Sequence, residues 1–261
     1  MLAVARKVDL LMIKLVRDSW LIFGSALRTT LRNPVWVFIG LFQPVCYMLL
    51  FAPLLQKVGG IGGQAYNVFT PGLMLMMAIF GSGFAGFTVI GRLREGVIER
   101  WRVTPVSRLA MMIGIITVDL LNLTIQTLIL LVLGRILGFN PDAGGMVLLL
   151  LLLLLAGLTM ASCSYAIALI LKDEGSLAAT VNLFALPLLL LSGVMLPLSL
   201  APSILQNISK ANPFAYAVDA GRALVSGSLG DISVPQAFCI FAVTALLALA
   251  WATRSIRKAA M

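Results

Sequence analysis

The polar residues Asp119, Asn122 and Gln126 interrupt a long apolar segment at residues 109–133. They are three and then four residues apart, so they form one stripe along one face of a helix. At about 1.5 Å per residue, Asp119 lies about 16 Å from Arg108, near the middle of a bilayer. An acid at that depth costs about 2.5–3.5 kcal/mol, so we expect Asp119 to be buried among helices and not to face lipid.

Two roles remain open for this polar stripe. The three side chains could face a substrate path or respond to protons. Alternatively, they could form hydrogen bonds between helices of one protomer, which contribute about 0.6 kcal/mol each on average. Asn182 and the pair Gln43-Pro44 also lie in apolar segments, and we expect structural roles for them. We expect helix packing for Gly81, Gly83 and Gly86, since small residues let helix backbones approach closely.

No arrangement of residues typical of an enzyme site is visible in the sequence. It contains no histidine and no Gly-x-x-x-x-Gly-Lys-Ser/Thr loop that could hold nucleotide phosphates. Cys46, Cys163 and Cys239 each lie within an apolar run, where we expect small buried hydrophobic residues and not a disulfide or metal ligands. The sequence therefore predicts no enzyme site and no metal or cofactor bound by this chain.

The segment at residues 92–108, RLREGVIERWRVTPVSR, is dense in charge. Glu95 and Glu99 are four residues apart, and so are Val97 and Trp101. This spacing fits a short amphipathic helix that ends before Pro105. Such a helix could dock into a cleft of a partner protein, or the segment could be an ordinary solvated loop. The residues themselves leave both interpretations open.

Long apolar runs make up most of the chain. Of its 261 residues, 61% are hydrophobic and 11% are charged, against about 45–50% and about 25% in soluble domains. Each run is close to the length that crosses a hydrocarbon core of roughly 30 Å. This pattern predicts an all-α integral membrane protein with six transmembrane helices. Their predicted ranges are 35–55, 69–90, 109–133, 146–171, 177–196 and 236–251.

The N-terminal segment predicts a helix of a different kind. Over residues 8–31, apolar residues recur at steps of three and four, with basic residues on the other side. We expect this amphipathic helix to lie in the headgroup plane, although packing on a soluble partner is an alternative and both could hold. Residues 1–34 are thus assigned as a cytoplasmic interfacial helix and residues 35–261 as the transmembrane domain. Because the first long apolar run begins only at Val35, no cleavable signal peptide is expected.

The basic residues predict the orientation in the membrane. The net charge is +9, and with six spans fifteen of the 19 Lys and Arg residues fall on the side of the N-terminus. Basic residues collect on the cytoplasmic side, so both termini are predicted to be cytoplasmic. The same positions beside apolar runs argue against nucleic-acid binding.

The segment at residues 197–235 is less apolar and precedes the last predicted span. Two stretches, 198–208 and 214–225, are too short to cross a bilayer and are separated by Asn212-Pro213. Helices that do not span are tolerated at membrane depth only when they pack on protein or line a wet cavity. We therefore expect short re-entrant helices, or a surface cap, on the outer side.

Two motifs in this sequence resemble those of ABC-2 type permeases, including the daunorubicin-resistance permeases. The run REGxxERxxxTPVSR at residues 94–108 is similar to that family's loop between spans two and three. The run NPxxYxxDxxR at residues 212–222 is similar to the segment before the last span. Together with the six-span layout, the resemblance covers essentially the whole chain. Gly221 is one departure, since many relatives carry a larger apolar residue there, and it could alter the packing of the cap.

The resemblance implies partners that composition does not. Transport would be driven by a separate cytoplasmic ABC ATPase subunit, expected in two copies and holding the ATP and magnesium. A second permease protomer, identical or paralogous, would complete the path, with membrane lipid around both. The implied ATPase-coupling residues are Arg94, Glu95, Gly96, Glu99, Arg100, Trp101, Thr104, Pro105 and Arg108. The implied outer-cap residues are Asn212, Pro213, Tyr216, Asp219 and Arg222.

The function implied by the resemblance is that of an exporter's permease subunit. It would move apolar or amphipathic compounds, such as a drug, an antibiotic or a lipid, out across a bacterial plasma membrane. The alternative is a membrane protein that needs no ATPase, either a secondary transporter or a scaffold. Carriers of that class usually show inverted repeats and several ionisable residues at mid-membrane. Here Asp119 alone is central, and no repeat is evident.

Overall fold

The computed structural model describes residues 2–32, 35–57, 65–96, 107–194 and 201–259. Within these ranges the chain forms ten α-helices and no strand, so the predicted all-α class is confirmed for this part. The helices are α1 (Leu2–Arg32), α2 (Val35–Lys57), α3 (Ala65–Gly83), α4 (Gly86–Arg94), α5 (Arg108–Leu137), α6 (Ala143–Leu171), α7 (Glu174–Leu190), α8 (Ser203–Ser209), α9 (Pro213–Val225) and α10 (Ser233–Ala259).

Within the part of the chain that the structure describes, four segments are long and apolar enough to cross a membrane. They are Tyr66–Arg94, Leu109–Leu137, Ala143–Leu171 and Ser233–Ile256. Two shorter apolar helices, Phe38–Phe51 and Glu174–Leu190, stand where the first and fifth spans were predicted. The membrane-protein class and four spans thus follow from length and composition, while six spans remain a prediction.

Polar and glycine residues set the helix ends. The Ser107 hydroxyl accepts a hydrogen bond from the Ala110 N–H at the start of α5. Asp142 and Asp173 cap α6 and α7 in the same way, satisfying donors that lack an intrahelical partner. At the end of α5, Gly138 takes a left-handed φ of 103°, which glycine adopts without steric cost.

Several predicted boundaries differ from those in the structure, among them the end of the fifth apolar helix and the start of the short helix that follows it. The fifth apolar helix was expected to reach residue 196, but α7 ends at Leu190. A turn follows, in which Gly193 adopts a left-handed φ of 74°, and the Ser192 N–H and hydroxyl both bond to the Leu189 carbonyl. The short helix expected at 198–208 instead begins at Ser203, directly after Pro202. By contrast, α9 covers the stretch expected at 214–225.

The core forms around α6, which packs against α3, α9 and α10. Its inner face is apolar and buried, with residues such as Leu149, Leu152 and Ala156 fully enclosed. Close approach depends on small residues, because a side chain at Gly157 would come within 2.6 Å of Leu123 on α5. At the edge of the core, α1 lies against α5, and a side chain at Gly114 would meet Ile22 at 2.8 Å. In lipid, helices associate through this close packing.

Candidate coupling and translocation site

The helical segment from α3 to α4 is broken at Phe84 and Ala85. In a continuous helix the Phe87 N–H would bond to the Gly83 carbonyl, but it bonds to the Phe84 carbonyl at 3.1 Å. The Gly83 carbonyl instead accepts a hydrogen bond from the Ser164 hydroxyl of α6. The same hydroxyl oxygen accepts from the Gly86 N–H at 3.0 Å. One buried side chain of α6 therefore satisfies backbone groups on both sides of the break, as the interior of a membrane protein requires.

The contact between α4 and its neighbours is tight at this point. A Cβ atom on Gly86 would lie 2.7 Å from the Ser164 Oγ and 2.9 Å from a Leu177 methyl group on α7. Phe80, Phe84 and Phe87 form a stacked row across the break, with ring centroids 6.4 Å and 5.5 Å apart. The break is thus a packed feature of the helix and is held on more than one side.

Asp119 lies between helices and not on the open surface of α5. The Tyr165 hydroxyl of α6 donates a hydrogen bond to its carboxylate. Arg92, near the end of α4, interacts electrostatically with both side chains. Tyr165 is fully buried and Asp119 half-buried. An interhelical hydrogen bond, one of the two alternatives left open for this residue, is therefore present at Asp119. Arg92, which the residue spacing did not reveal, interacts with it electrostatically.

The other residues of the predicted stripe have different surroundings. Gln126 is buried where α5 faces α2 and α3, because a Cβ atom on Gly40 would meet its amide at 2.7 Å. Asn122 is half-buried. Asn182 is exposed on α7 and donates to the Ala178 carbonyl of its own helix at 2.9 Å. The structure therefore brings Asp119 together with Arg92 and Tyr165, but not with Asn182.

Part of the predicted coupling segment lies within the described residues. Arg94 forms an ion pair of 2.8 Å with Glu174, the first residue of α7. Glu95 ends α4, and Gly96 follows with a left-handed φ of 67°. Arg108 opens α5. Glu99, Arg100, Trp101, Thr104 and Pro105 lie outside the described residues.

The predicted outer-cap residues hold α9 against other helices. Asn212 caps α9 through the Phe214 N–H at 3.0 Å and donates to the Leu188 carbonyl of α7 at 2.7 Å. Pro213 is the first residue of α9, where its missing N–H has no cost. The Tyr216 hydroxyl donates to the Lys210 carbonyl at 3.0 Å. These contacts hold the start of α9 against α7 and against the residue that follows α8.

Of the outer-cap residues, Arg222 makes the hydrogen bonds with the greatest separation along the sequence. Its guanidinium donates to the Val68 carbonyl at the start of α3 and to the Gly193 carbonyl after α7. Partial burial lowers the pKa of Arg222 and raises the pKa of the neighbouring Asp219 carboxyl, while the charge of each opposes the shift of the other. Their closest N···O distance is 3.9 Å, so the ion pair is loose.

A polar pocket lies beside Arg222. Its volume is about 470 Å³, and Asn67, Asn140 and Asp142 contribute polar atoms to its wall. Among the described residues, no group of three His, Cys, Asp or Glu side chains could hold a metal ion.

Comparison with known proteins adds a family match. The family model for the ABC-2 type transporter matches residues 18–225. The chain is 24% identical to the daunorubicin resistance ABC transporter permease protein of Streptomyces coeruleorubidus, over 80% of this chain and 75% of that protein. It is 28% identical to a protein of Cyanophora paradoxa named as a transport permease, over 76% of this chain and 70% of that protein. A multidrug ABC transporter permease of Escherichia coli, so named, is 27% identical over 57% of this chain and 41% of that protein.

Proposed function

This chain belongs to the ABC-2 type transporter family, and from that premise we propose that it is the permease subunit of an ATP-driven exporter. Family membership makes it the membrane subunit of an ABC transporter, whose relatives are named as transport permeases. The family implies an ATP-binding partner, and we propose that two copies of a cytoplasmic ATPase subunit drive this chain. A second permease protomer, identical or paralogous, would complete the path.

The observation that carries the proposal is the position of the charged segment relative to α4. The segment that resembles the family's coupling loop follows α4 directly, and α4 contacts α6 through Ser164 and α7 through Glu174. Its Arg92 also interacts electrostatically with Asp119 of α5. A force applied to the segment would therefore reach α5, α6 and α7. The family match extends from residue 18 to residue 225 and so includes this whole region.

We place the protein in a bacterial plasma membrane with six spans and both termini in the cytoplasm. The four long apolar segments and the two shorter helices α2 and α7 support that count. Fifteen of 19 basic residues on one side support the orientation. In this arrangement α8 and α9 lie on the outer side, where they would cap the exit.

The cargo that we propose is apolar or amphipathic, such as a drug, an antibiotic or a lipid. The exposed side chains of α2 and α7 are mostly large and apolar, among them Phe38, Phe42, Leu183 and Phe184. Two relatives are named for drug resistance or multidrug transport, and export of such compounds fits an apolar surface.

Purification with native partners tests the proposal. We expect a cytoplasmic ATPase to copurify and its ATP hydrolysis to rise when the permease is present. The double variant Glu99→Lys/Arg100→Glu should lower this permease-dependent hydrolysis without reducing membrane insertion, because charges on a docking helix would be reversed. Lys210→Glu, a charge reversal at an exposed position on the proposed outer side, serves as the control and should have no effect.

The outcome also decides between the two function classes. A permease that purifies without any ATPase, and whose transport continues when ATP is absent, would support an ATPase-independent carrier or scaffold instead. Normal stimulated hydrolysis in the double variant would remove the coupling role from this segment while leaving the family assignment intact.

A further inference from the structure

We propose that α4 is a hinged lever, with its pivot at the Gly83–Gly86 break held by Ser164 and its far end held through Arg92, Asp119 and Tyr165. Ser164 and Tyr165 would then be positioning residues that set how α4 moves. The inference rests on the proposed function, since the lever would carry movement from an ATPase into the spans.

The pivot is visible in the backbone hydrogen bonds of the break. In a continuous helix the Gly83 carbonyl would accept from the Phe87 N–H, and the Gly86 N–H would donate to the Ser82 carbonyl. Here the Gly83 carbonyl and the Gly86 N–H both bond to the Ser164 hydroxyl instead. The Ser164 hydroxyl can rotate and so keep its bonds when the helix bends, whereas backbone hydrogen bonds of a helix would have to break. Across the break the Ala85, Phe87 and Thr88 N–H groups each bond to the carbonyl three residues earlier, as in a 3₁₀ turn. A stretch of this kind inside a longer helix often marks a hinge.

The far end of the lever interacts electrostatically with a polar cluster on α5 and α6. Arg92 lies two residues before the end of α4 and interacts with Asp119 of α5 and Tyr165 of α6. The Tyr165 hydroxyl also donates directly to the Asp119 carboxylate. In a medium that holds little water, charged and polar groups adopt a few discrete arrangements, because leaving one unpaired is costly. Such a cluster favours defined positions of α4 over a continuous range.

Both holding points come from neighbouring residues of one helix. Ser164 and Tyr165 are adjacent in α6. Ser164 bonds to the first residue of the nine-residue helix α4, whereas Tyr165 interacts electrostatically with Arg92 near its other end. A third contact, the Arg94–Glu174 ion pair, is exposed, with about half of each side chain accessible, so it can open at little cost. α6 therefore supplies a fixed reference against which α4 can tilt, and α7 supplies a weaker one.

Movement of α4 can be measured directly in the complete complex with its ATPase. Spin labels would be placed at Thr88→Cys on α4 or at Gly81→Cys on α3, each paired with Leu246→Cys on α10. The three native cysteines would be replaced beforehand. We expect the distance from position 88 to position 246 to shift between the nucleotide-free and ATP-bound complex, while the distance from position 81 stays the same. Equal shifts of the two pairs would mean that the whole span moves and would overturn the lever.

Two variants test the holding residues. Ser164→Ala should broaden the distance distribution at position 88, but not at position 81, even without nucleotide. Ser164→Ala and Tyr165→Phe should each lower permease-dependent ATP hydrolysis about fivefold, the effect of losing about one hydrogen bond. The matched control is Ser162→Ala, since Ser162 is equally buried on α6 and its hydroxyl has no partner among the described residues.

The outcomes separate this inference from the proposed function. If no ATPase purifies with the permease, the proposed function fails. If the complex assembles and hydrolyses ATP, but Ser164→Ala leaves the label distances unchanged or Ser162→Ala has the same effect as Ser164→Ala, the lever alone is wrong. The insertion level of every variant in the membrane, measured alongside, excludes loss of folded protein as the cause.

Discussion

The Arg222 guanidinium donates a hydrogen bond of 2.7 Å to the Gly193 carbonyl, which lies 29 residues earlier in the chain. The same side chain reaches the Val68 carbonyl, 154 residues away. α9, the turn after α7 and the start of α3 are thus joined through one residue. This makes Arg222 a structural connector of the cap, independent of any contact with cargo.

Replacement of Arg222 should therefore destabilise the protein. Arg222→Leu would leave two carbonyl groups without their donor, and we expect a loss of about 2–3 kcal/mol, visible as a lower melting temperature in detergent. Arg222→Lys should recover only part of this stability, because a lysine ammonium lacks the planar, forked set of donors with which the guanidinium reaches both carbonyls. Lys210→Ala, on the exposed neighbouring turn, is the control; an equal effect there would contradict the connector role.

At Gly145, α6 and α9 approach each other closely. A Cβ atom at this position would overlap the Leu224 carbonyl oxygen, which belongs to backbone and cannot rotate away. Gly145→Ala should therefore force the two helices apart and reduce the yield of folded protein. Gly24→Ala in α1 is the control, because nothing lies within 4 Å of a Cβ atom there. At that site alanine should be neutral or stabilising by up to about 1 kcal/mol, and a similar loss at both sites would argue against close packing.

Phe214 and Phe241 join α9 to the last helix. Both rings are buried, and their centroids lie 5.1 Å apart in an edge-to-face arrangement. Phe241→Ala should cost about 3 kcal/mol through the lost packing and the cavity that remains. The matched substitution Val243→Ala, at an exposed position of the same helix, should change the melting temperature little. Protease accessibility of the 210–232 region would show whether α9 has detached.

The stability of the start of α7 should depend on pH through the protonation of Asp173. Hydrogen bonds from Ser176, first of all from its backbone N–H, lower the pKa of the Asp173 carboxyl below its usual value. A lowered folded-state pKa means that the capping contribution is complete above the unfolded-state pKa and is lost as the pH falls through the folded-state value. Hydrogen exchange at the Ser176 amide should therefore speed up, relative to its intrinsic rate, in the acid range.

Substitutions at Asp173 separate charge from capping. Asp173→Asn keeps an oxygen that can cap the helix, so the acid-dependent change in protection should disappear while protection at neutral pH is largely kept. Asp173→Ala should lose protection at all pH values. An unchanged pH profile in Asp173→Asn would show that another group controls the start of α7.

Local features of the sequence were enough to predict most of the helices, with ends that mostly differ from the observed ones by a few residues. Long apolar runs predicted the four segments that are long enough to span, and Asp142 and Ser107 stand at helix starts where capping residues are expected. The amphipathic N-terminal stretch, expected at 8–31, is one continuous helix from Leu2 to Arg32. These properties depend on residues close together in the chain, so they can be predicted from the sequence.

The break between α3 and α4 was not predicted. The glycines at positions 81, 83 and 86 suggested close packing, and packing is what the structure shows at Gly86. The interruption itself depends on Ser164, whose hydroxyl replaces backbone partners from about 80 residues away. No spacing in the chain links those positions, because the contact exists only once α6 has packed against the broken helix.

The sequence by itself determined that this is a helical membrane protein with an acid, Asp119, inside a long apolar segment. Only the tertiary structure decided which groups interact with Asp119. Tyr165 from α6 donates a hydrogen bond to it, and Arg92 from α4 interacts with it electrostatically. Hydropathy and periodicity are properties of a few consecutive residues, whereas the partner of a buried polar group depends on which helices pack together. That choice is made by the fit of side chains and glycines across the whole bundle.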